Sequence, residues 1–149
     1  NLDTIETALT AADTGHLVLA TLHTSSTINT IERIVGVFPP SKQPQVILQL
    51  SNTLLGILSQ QLLPTIGNRG RALAYELLLV DAPERNIIRE NAAHKLRTQL
   101  EMGGKRGMRT MDHSLIDLHE RGQINYDTLL SHAVAPDAVR QHFKRKTTV

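Results

Sequence analysis

The chain of 149 residues contains no cysteine, no tryptophan, and only two phenylalanines and two tyrosines. The absence of cysteine excludes disulfides and thiolate metal sites, and it fits a reducing compartment. The shortage of aromatic side chains argues against a nucleic-acid partner, because single strands are commonly bound by base stacking. The 16 basic and 14 acidic residues leave a net charge of only +2, which does not indicate a polyanion partner. No apolar run approaches the ~20 residues of a membrane-spanning helix, so we expect no transmembrane segment.

The sequence also lacks the P-loop pattern Gly-x-x-x-x-Gly-Lys-[Ser/Thr]. Lys105 is the only lysine that follows a glycine. Gln99 stands where the pattern requires its first glycine, and Arg106 stands where it requires a hydroxyl residue. By itself, the chain therefore cannot bind nucleotide phosphates in the P-loop manner.

The first half of the chain has the mixed hydrophobic periodicity of an α/β fold. We expect helices over 3–13, 27–36 and 42–62, and strands over 16–22 and 71–80. Ser41 is the candidate N-cap of the longest helix, and a Gly-Asn-Arg-Gly loop occupies residues 67–70.

The second half is helical from Asp81 onward, where Asp81, Pro83 and Glu84 have the spacing of a capping box. Helices are predicted near 82–90, 92–102, 110–121, 126–133 and 136–145. The candidate N-caps are Asn91, Thr110 and Asn125. We therefore predict two domains, an α/β portion over 1–80 and a helical subdomain over 81–149.

Residues 14–26 contain the strongest functional signal. A short apolar run, Leu17–Leu22, lies between His16 and His23. Three hydroxyl residues follow it: Thr24, Ser25 and Ser26. The pattern predicts a buried strand with His23 at its carboxyl end, where open α/β sheets bind ligands. An imidazole beside small hydroxyls suits a phosphate or another anion.

The two histidines could also have other roles. Seven residues of strand would separate His16 from His23 by roughly 23 Å, which is too far for a shared metal ion. A hydrolase triad on Ser25 or Ser26 would lack a nucleophile elbow and an oxyanion loop. The remaining alternative is that the two histidines simply stand at the two ends of a strand, where each forms a hydrogen bond with the backbone.

A second candidate site follows the capping box. Its residues are Arg85, Asn86, Ile87, Ile88, Arg89 and Glu90. On a helix, Arg85 and Arg89 share a face while Ile87 and Ile88 can be buried. Two arginines one turn apart can bind a carboxylate or a phosphate in forked geometry. The alternative is an ordinary amphipathic helix with a solvated charged face.

The end of the chain is basic. The residues concerned are Arg140, Lys144, Arg145 and Lys146. Basic tails are usually solvated, but they can contact membrane headgroups or nucleic acid. A non-enzymatic helical interaction module with a basic tail is therefore an alternative of another class.

The histidine segment belongs to a longer ordered pattern. Its parts are Leu2–Ile5, Ala8–Ala12, Thr14–Val18, Thr21–Ser26, Thr30–Ile34, Val37–Pro39, Ser59–Leu63, Arg85–Glu90 and Gly107–Asp112. In this order they resemble the His box and retraction motif in the C-terminal part of the type IV pilus retraction ATPases, within the secretion-ATPase superfamily. The resemblance covers roughly residues 1–140. Pro83 and Glu84 depart from it, since the family's motif opens there with Ala-Ile.

The resemblance implies a partial RecA-like P-loop ATPase core without its P-loop half, followed by a helical C-terminal subdomain. The Walker A and Walker B sequences would lie upstream, so the intact parent would be an ATPase and this fragment alone inactive. His23 would approach the γ-phosphate of ATP, with His16 as the second His-box residue and Thr24 and Ser25 near the nucleotide. ATP and Mg²⁺ would be cofactors of the parent, and no metal site is expected in this chain.

The resemblance also implies an effector surface at residues 85–90, which retraction needs and ATP hydrolysis does not. The parent would be a homohexamer at the cytoplasmic side of a bacterial inner membrane, with a pilus platform protein in that membrane as its partner. The alternative within the superfamily is a pilus-assembly or type II secretion ATPase. Those relatives commonly carry a zinc-binding insert with four cysteines, which this chain lacks.

Overall fold

A computed structural model describes the backbone of residues 2–147 and the side chains of residues 2–145. Lys146, a residue of the predicted basic tail, lies outside the described side chains. The eight helices in this part of the chain are α1 (Leu2–Asp13), α2 (Thr27–Gly36), α3 (Gln43–Thr53), α4 (Ala82–Arg89), α5 (Leu96–Met102), α6 (Met111–Glu120), α7 (Tyr126–His132) and α8 (Pro136–Thr147). The strands are β1 (Gly56–Pro64) and β2 (Arg71–Leu79), and short 3₁₀ turns cover Ile66–Asn68, Ala93–Lys95 and Gly103–Arg106.

The predicted mixed α/β fold class is confirmed, and the predicted N-caps account for the starts of α6 and α7. Thr110 accepts a hydrogen bond from the His113 N–H at 3.2 Å, as an N-cap of α6 should. Asn125 does the same for α7, accepting from the Thr128 N–H at 2.7 Å. Local polar chemistry at these positions therefore determines where the helices begin.

The buried strand predicted over 16–22 is wrong. Residues 16–24 are neither helix nor strand, and the side chains of Leu17 and Leu19 are 76% and 89% exposed. A strand needs a neighbour for its backbone N–H and C=O groups. In residues 2–147 the one sheet is formed by β1 and β2, so this apolar run has no strand to pair with.

The single helix predicted over 42–62 is also wrong in its second half, where β1 replaces it. A Cβ added at Gly56 would lie 2.9 Å from the Leu78 carbonyl oxygen, so glycine permits a close approach of two backbones there. Side-chain burial then alternates along β1, as a sheet with one covered face requires. Pairing with β2 outweighs the helical propensity of the Leu- and Gln-rich segment.

Two predicted N-caps are wrong as well. Lys42, and not Ser41, occupies the N-cap position of α3, with proline in its first turn. Asn91 adopts a left-handed conformation with φ 53° after the end of α4, and it begins no helix. Asparagine tolerates this conformation better than most residues.

The strands β1 and β2 form an antiparallel hairpin. The Val80 N–H donates to the Leu55 carbonyl at 3.0 Å, and the Thr65 N–H donates to the Gly70 carbonyl at 3.2 Å, so the pairing runs in opposite directions along the two strands. The turn between them contains Gly67 with φ 77°, which confirms the loop predicted over 67–70.

The chain divides into two compact units. The first comprises the residues up to Ser59 together with Leu77–Met108. Its core is mainly aliphatic, with one phenylalanine. It includes Leu9, Ile31, Ile34, Val35, Phe38, Val46, Ile47, Leu50, Leu78, Ile88, Leu96 and Leu100. This unit contains both candidate sites.

The second unit comprises Gln60–Glu76 and the residues from Arg109 onward. Its core includes Leu63, Ala72, Ala74, Met111, Leu115, Ile116, Leu118, Ile124, Leu129 and Val139. The Asp112 carboxylate accepts hydrogen bonds from the N–H groups of Val134 at 2.6 Å and Ala135 at 3.0 Å, which fixes the turn between α7 and α8. The domain boundary after residue 80 stays a prediction. Each compact unit combines two separate stretches of the chain, so these units do not test a single boundary in sequence. None of the helices in residues 2–147 has the length and apolar character needed to cross a membrane.

Candidate functional site

The His23 loop, residues 23–26, is built on the N-terminus of α2. Ser26 is the N-cap: its hydroxyl oxygen accepts a hydrogen bond from the Asn29 N–H at 3.1 Å. The Asn29 side chain in turn donates from Nδ2 to the Ser25 hydroxyl at 3.1 Å. A single helical residue therefore holds two residues of the loop.

The hydroxyl of Thr24 points into the loop's own hydrogen bonds. It lies 2.6 Å from the hydroxyl of Thr30, which is largely buried. Thr30 donates its proton to the Ser26 carbonyl at 2.8 Å, so Thr24 must be the donor between the two threonines. Ser25, by contrast, accepts from Asn29, and its own hydroxyl proton has no acceptor among the described residues.

The backbone of His23 is fixed while its imidazole is exposed. Arg33, on α2, donates from Nη1 to the His23 carbonyl at 3.2 Å. The imidazole itself has no hydrogen-bond partner among the described residues, and it projects from an anchored backbone. An imidazole held in this way can donate a hydrogen bond to an anion without reordering the loop. The sequence singled out His23 but missed Arg33, since their contact spans ten residues and depends on how α2 folds back.

His16 has a different environment at the end of α1. Its Nδ1 lies 3.0 Å from the Thr14 hydroxyl and 3.3 Å from the Ala11 carbonyl. Because Thr14 gives its own proton to the Ala11 carbonyl at 2.8 Å, Nδ1 carries the hydrogen in the tautomer that satisfies both contacts. His16 is therefore bonded to the backbone at the end of α1, although no strand follows it. No group of acidic and imidazole side chains suited to a metal ion occurs within residues 2–147.

Helix α4 carries the second candidate site and is anchored by its apolar side. Ile88 is 2% exposed in the core of the first unit, and Ile87 packs against the same core. Arg85 donates from Nη1 to the carbonyls of Ser51 at 2.9 Å and Asn52 at 2.5 Å. These carbonyls lie at the end of α3, where helices leave acceptors without intrahelical donors and where the dipole favours a cation.

The remaining residues of the motif form its exposed face. Arg89 donates to Asn86 Oδ1 at 3.3 Å and to Asn52 Oδ1 at 3.2 Å. Glu90 pairs with Lys95 at 3.6 Å. The structure therefore separates the two arginines of the sequence motif: Arg85 is committed to α3, and Arg89 lies on the surface.

An ion pair at the start of α4 accounts for the departure at Glu84. Glu84 is fully buried, and its carboxylate accepts from Arg106 Nη2 at 2.6 Å and from the Asp81 N–H at 3.0 Å. Arg106 Nη1 also reaches Asp81 at 3.1 Å. The helix thus packs with a buried carboxylate at its start, and Arg106 supplies the compensating charge. The sequence predicted the cap but not Arg106, which lies 22 residues away.

The burial and the bonds of Glu84 act on its pKa in opposite directions. Burial alone raises the pKa of this carboxyl, because it disfavours the charged form. The hydrogen bond and charge of Arg106, with the N–H groups of Asp81 and Glu84, more than offset burial and hold the pKa below its usual value. Glu84 is therefore ionised at neutral pH.

Comparison with known proteins shows what the chain as a whole is similar to. Residues 1–68 match the family described as "Type II/IV secretion system protein". The chain is 42% identical over 139 residues to the "Twitching motility protein" of Neisseria gonorrhoeae, which covers 93% of this chain and 34% of that protein. The chain is therefore similar to the secretion-ATPase superfamily.

Within this superfamily, the chain is similar to proteins named for pilus retraction. It is 40% identical over 137 residues to the "Type IV pilus retractation ATPase PilT" of Pseudomonas aeruginosa, covering 92% of this chain and 40% of that protein. The solved structure described as "Pilus Retraction Motor PilT and Bound ADP" superposes with a TM-score of 0.84 and 44% identity, covering 95% of this chain and 39% of that chain. The expected resemblance to the C-terminal part of the retraction ATPases is confirmed. The chain spans only 34% and 40% of the lengths of these two curated relatives.

Proposed function

We propose that this chain is the C-terminal part of an ATP-driven motor that retracts type IV pili. The observation that carries the proposal is the similarity to retraction ATPases along nearly the whole chain, which includes both the His23 loop and α4. In this proposal the P-loop lysine and the acidic residue that positions Mg²⁺ or water belong to an upstream half.

The His23 loop would report the γ-phosphate of ATP. His23 has an exposed imidazole on an anchored backbone, and Ser25 keeps a hydroxyl proton for an anion. Thr24 contributes by holding the loop, because its proton is given to Thr30. Loss or gain of the phosphate at His23 would then be transmitted to α2 through Arg33. His16 would have a structural role at this site, since it bonds to the backbone at the end of α1.

The first test separates the chain from its parent. The full-length protein should hydrolyse ATP in the presence of Mg²⁺, whereas residues 1–149 alone should show no turnover above background. Robust hydrolysis by the purified 149-residue chain would refute the fragment hypothesis.

The second test concerns His23. In the full-length protein, His23→Ala should lower retraction at least about tenfold, which corresponds to one lost hydrogen bond to a charged group. His94→Ala, a change of another exposed histidine in the first unit, is the matched control and should have no effect. Unchanged retraction in His23→Ala would contradict the phosphate-reporting role.

We further propose that the parent assembles as a homohexamer at the cytoplasmic face of the inner membrane and acts on a pilus platform protein. The exposed face of α4 would be the effector surface for this partner. Arg89→Ala should therefore leave ATP hydrolysis unchanged and abolish retraction of pili. A protein that instead drives pilus extension or secretion would favour the assembly or secretion alternative.

A further inference from the structure

The surface around Arg89 includes a residue that lies outside the retraction motif. Asn52, near the end of α3 and 37 residues before Arg89, accepts a hydrogen bond from Arg89 Nη2 at 3.2 Å. Asn86, one turn before Arg89 on α4, accepts from Nη1 at 3.3 Å. All three side chains are exposed. Two amide oxygens from different helices therefore hold the two ends of one guanidinium.

This arrangement leaves the guanidinium able to bind a further ligand. A guanidinium has five N–H donors, and the two amide oxygens take one from each terminal nitrogen. The other N–H donors have no partner within the described part of the chain. A planar fork that is already oriented loses little rotamer freedom when it binds a carboxylate.

On the exposed face of α4, the neighbouring charged residues have other partners, and Arg89 is the cation that can bind a ligand. The charge of Arg85 is directed to the carbonyls at the end of α3. The Glu90 carboxylate forms an ion pair with Lys95 at 3.6 Å and does not pair with Arg89. Both direct partners of Arg89 are neutral amides, which orient the fork without neutralising it. The complementary group is therefore a carboxylate on the surface of a protein partner.

We propose that Asn52 is a positioning residue of the effector surface, which holds the Arg89 guanidinium for contact with a carboxylate of the protein partner. The proposal rests on the proposed retraction function of α4 and extends its surface to α3.

The test compares variants of the full-length protein in retraction rate, ATP hydrolysis and melting temperature. Asn52→Ala removes one acceptor of the fork and should lower the retraction rate about three- to tenfold, the effect of one side chain that must be ordered again on binding. ATP hydrolysis and melting temperature should not change, because the contact is exposed. Asn52→Asp keeps an acceptor oxygen but neutralises the guanidinium, so it should lower the rate at least as much as Asn52→Ala.

Two further variants complete the comparison. Gln45→Ala, which removes another exposed amide from α3, is the matched control and should behave as the unmodified protein. Arg89→Lys keeps the charge but not the fork, so it should lose at least as much retraction as Asn52→Ala. Full retraction by Arg89→Lys would overturn the proposal.

The outcomes also distinguish this proposal from the function on which it rests. If Arg89→Ala still retracts pili, the effector function of α4 is wrong and the role of Asn52 falls with it. If Arg89→Ala abolishes retraction while Asn52→Ala retracts normally, only the role of Asn52 is wrong. A loss of ATP hydrolysis or of thermal stability in Asn52→Ala would assign Asn52 a structural role and overturn the proposal.

Discussion

Among single residues, Glu84 shows how a buried charge is stabilised by a residue distant in sequence. Its buried carboxylate is held by Arg106, whose guanidinium is partly exposed and also reaches Asp81. A buried carboxylate without such a partner would be strongly destabilising. The start of α4 therefore depends on the ion pair between Glu84 and Arg106, which are 22 residues apart in sequence.

Replacing Glu84 by Gln should destabilise the chain by about 1–2 kcal/mol at pH 7, since a charged hydrogen bond is lost and a polar group stays buried. The folded state holds the pKa of Glu84 below its unfolded value of about 4.3. Its contribution is therefore fully present above that pH and is lost as the pH falls through the lower, folded pKa.

Urea unfolding of the unmodified chain and Glu84→Gln between pH 3 and pH 7 would measure this difference. It should be constant above about pH 5 and shrink below about pH 4. Glu101→Gln, in an exposed pair with Arg97, is the control and should change stability by less than about 0.5 kcal/mol. A difference that grows as the pH falls would contradict the assignment.

The two arginines of α4 should differ in what they do for stability. Arg85→Ala leaves two carbonyls at the end of α3 without their donor and should cost about 1–2 kcal/mol. Arg89→Ala removes exposed contacts and should cost less than about 0.5 kcal/mol. Thermal unfolding of both variants measures this, and equal losses would show that the separation of roles is wrong.

Among the elements, the apolar run Leu17–Leu22 is unusual, because its composition is typical of a buried strand but it forms no strand and its leucines at 17 and 19 are exposed. Leu17 and Leu19 are exposed because this part of the chain contains no strand beside them. In the proposed parent, an upstream half would supply that neighbour. The same residues would then pass from solvent to a sheet interior.

Leu19→Ser tests this difference between chain and parent. In the 149-residue chain it should change the free energy of unfolding by less than about 0.5 kcal/mol, since the side chain is 89% exposed. In the full-length protein it should cost about 2–4 kcal/mol by placing a hydroxyl in an apolar core. Chemical unfolding of both proteins gives the comparison, with Leu9→Ser in the buried face of α1 as a variant that should destabilise both. Equal effects of Leu19→Ser in chain and parent would show that no upstream segment covers Leu19 in the parent.

On the scale of the whole molecule, each of the two units has a core of its own. Leu50 belongs to the first core and Leu115 to the second, and both are buried. Regions with separate cores can open separately in the native state.

Truncation of these two leucines should therefore have local effects. Leu115→Ala and Leu50→Ala should each cost about 2–5 kcal/mol in the affected core. Hydrogen exchange should accelerate mainly in α6–α8 for Leu115→Ala and mainly in α1–α4 for Leu50→Ala. Uniform acceleration in both variants would indicate a single cooperative unit.

The sequence by itself determined the features that depend on neighbouring residues. The N-caps at Thr110 and Asn125, the capping residues of α4, the turn at Gly67 and the family resemblance were all readable, because each rests on local chemistry or on a motif order. The singling out of His23 and Arg89 also came from sequence.

The tertiary structure alone decided which residues distant in sequence would meet. It paired Arg33 with His23, Arg85 with the end of α3, Arg106 with Glu84 and Asn52 with Arg89. It also decided that residues 56–64 pair as a strand while 16–22 do not. The physical reason is the same in each case: a hydrogen bond or a strand needs its partner in space, and local sequence does not specify which partner that is.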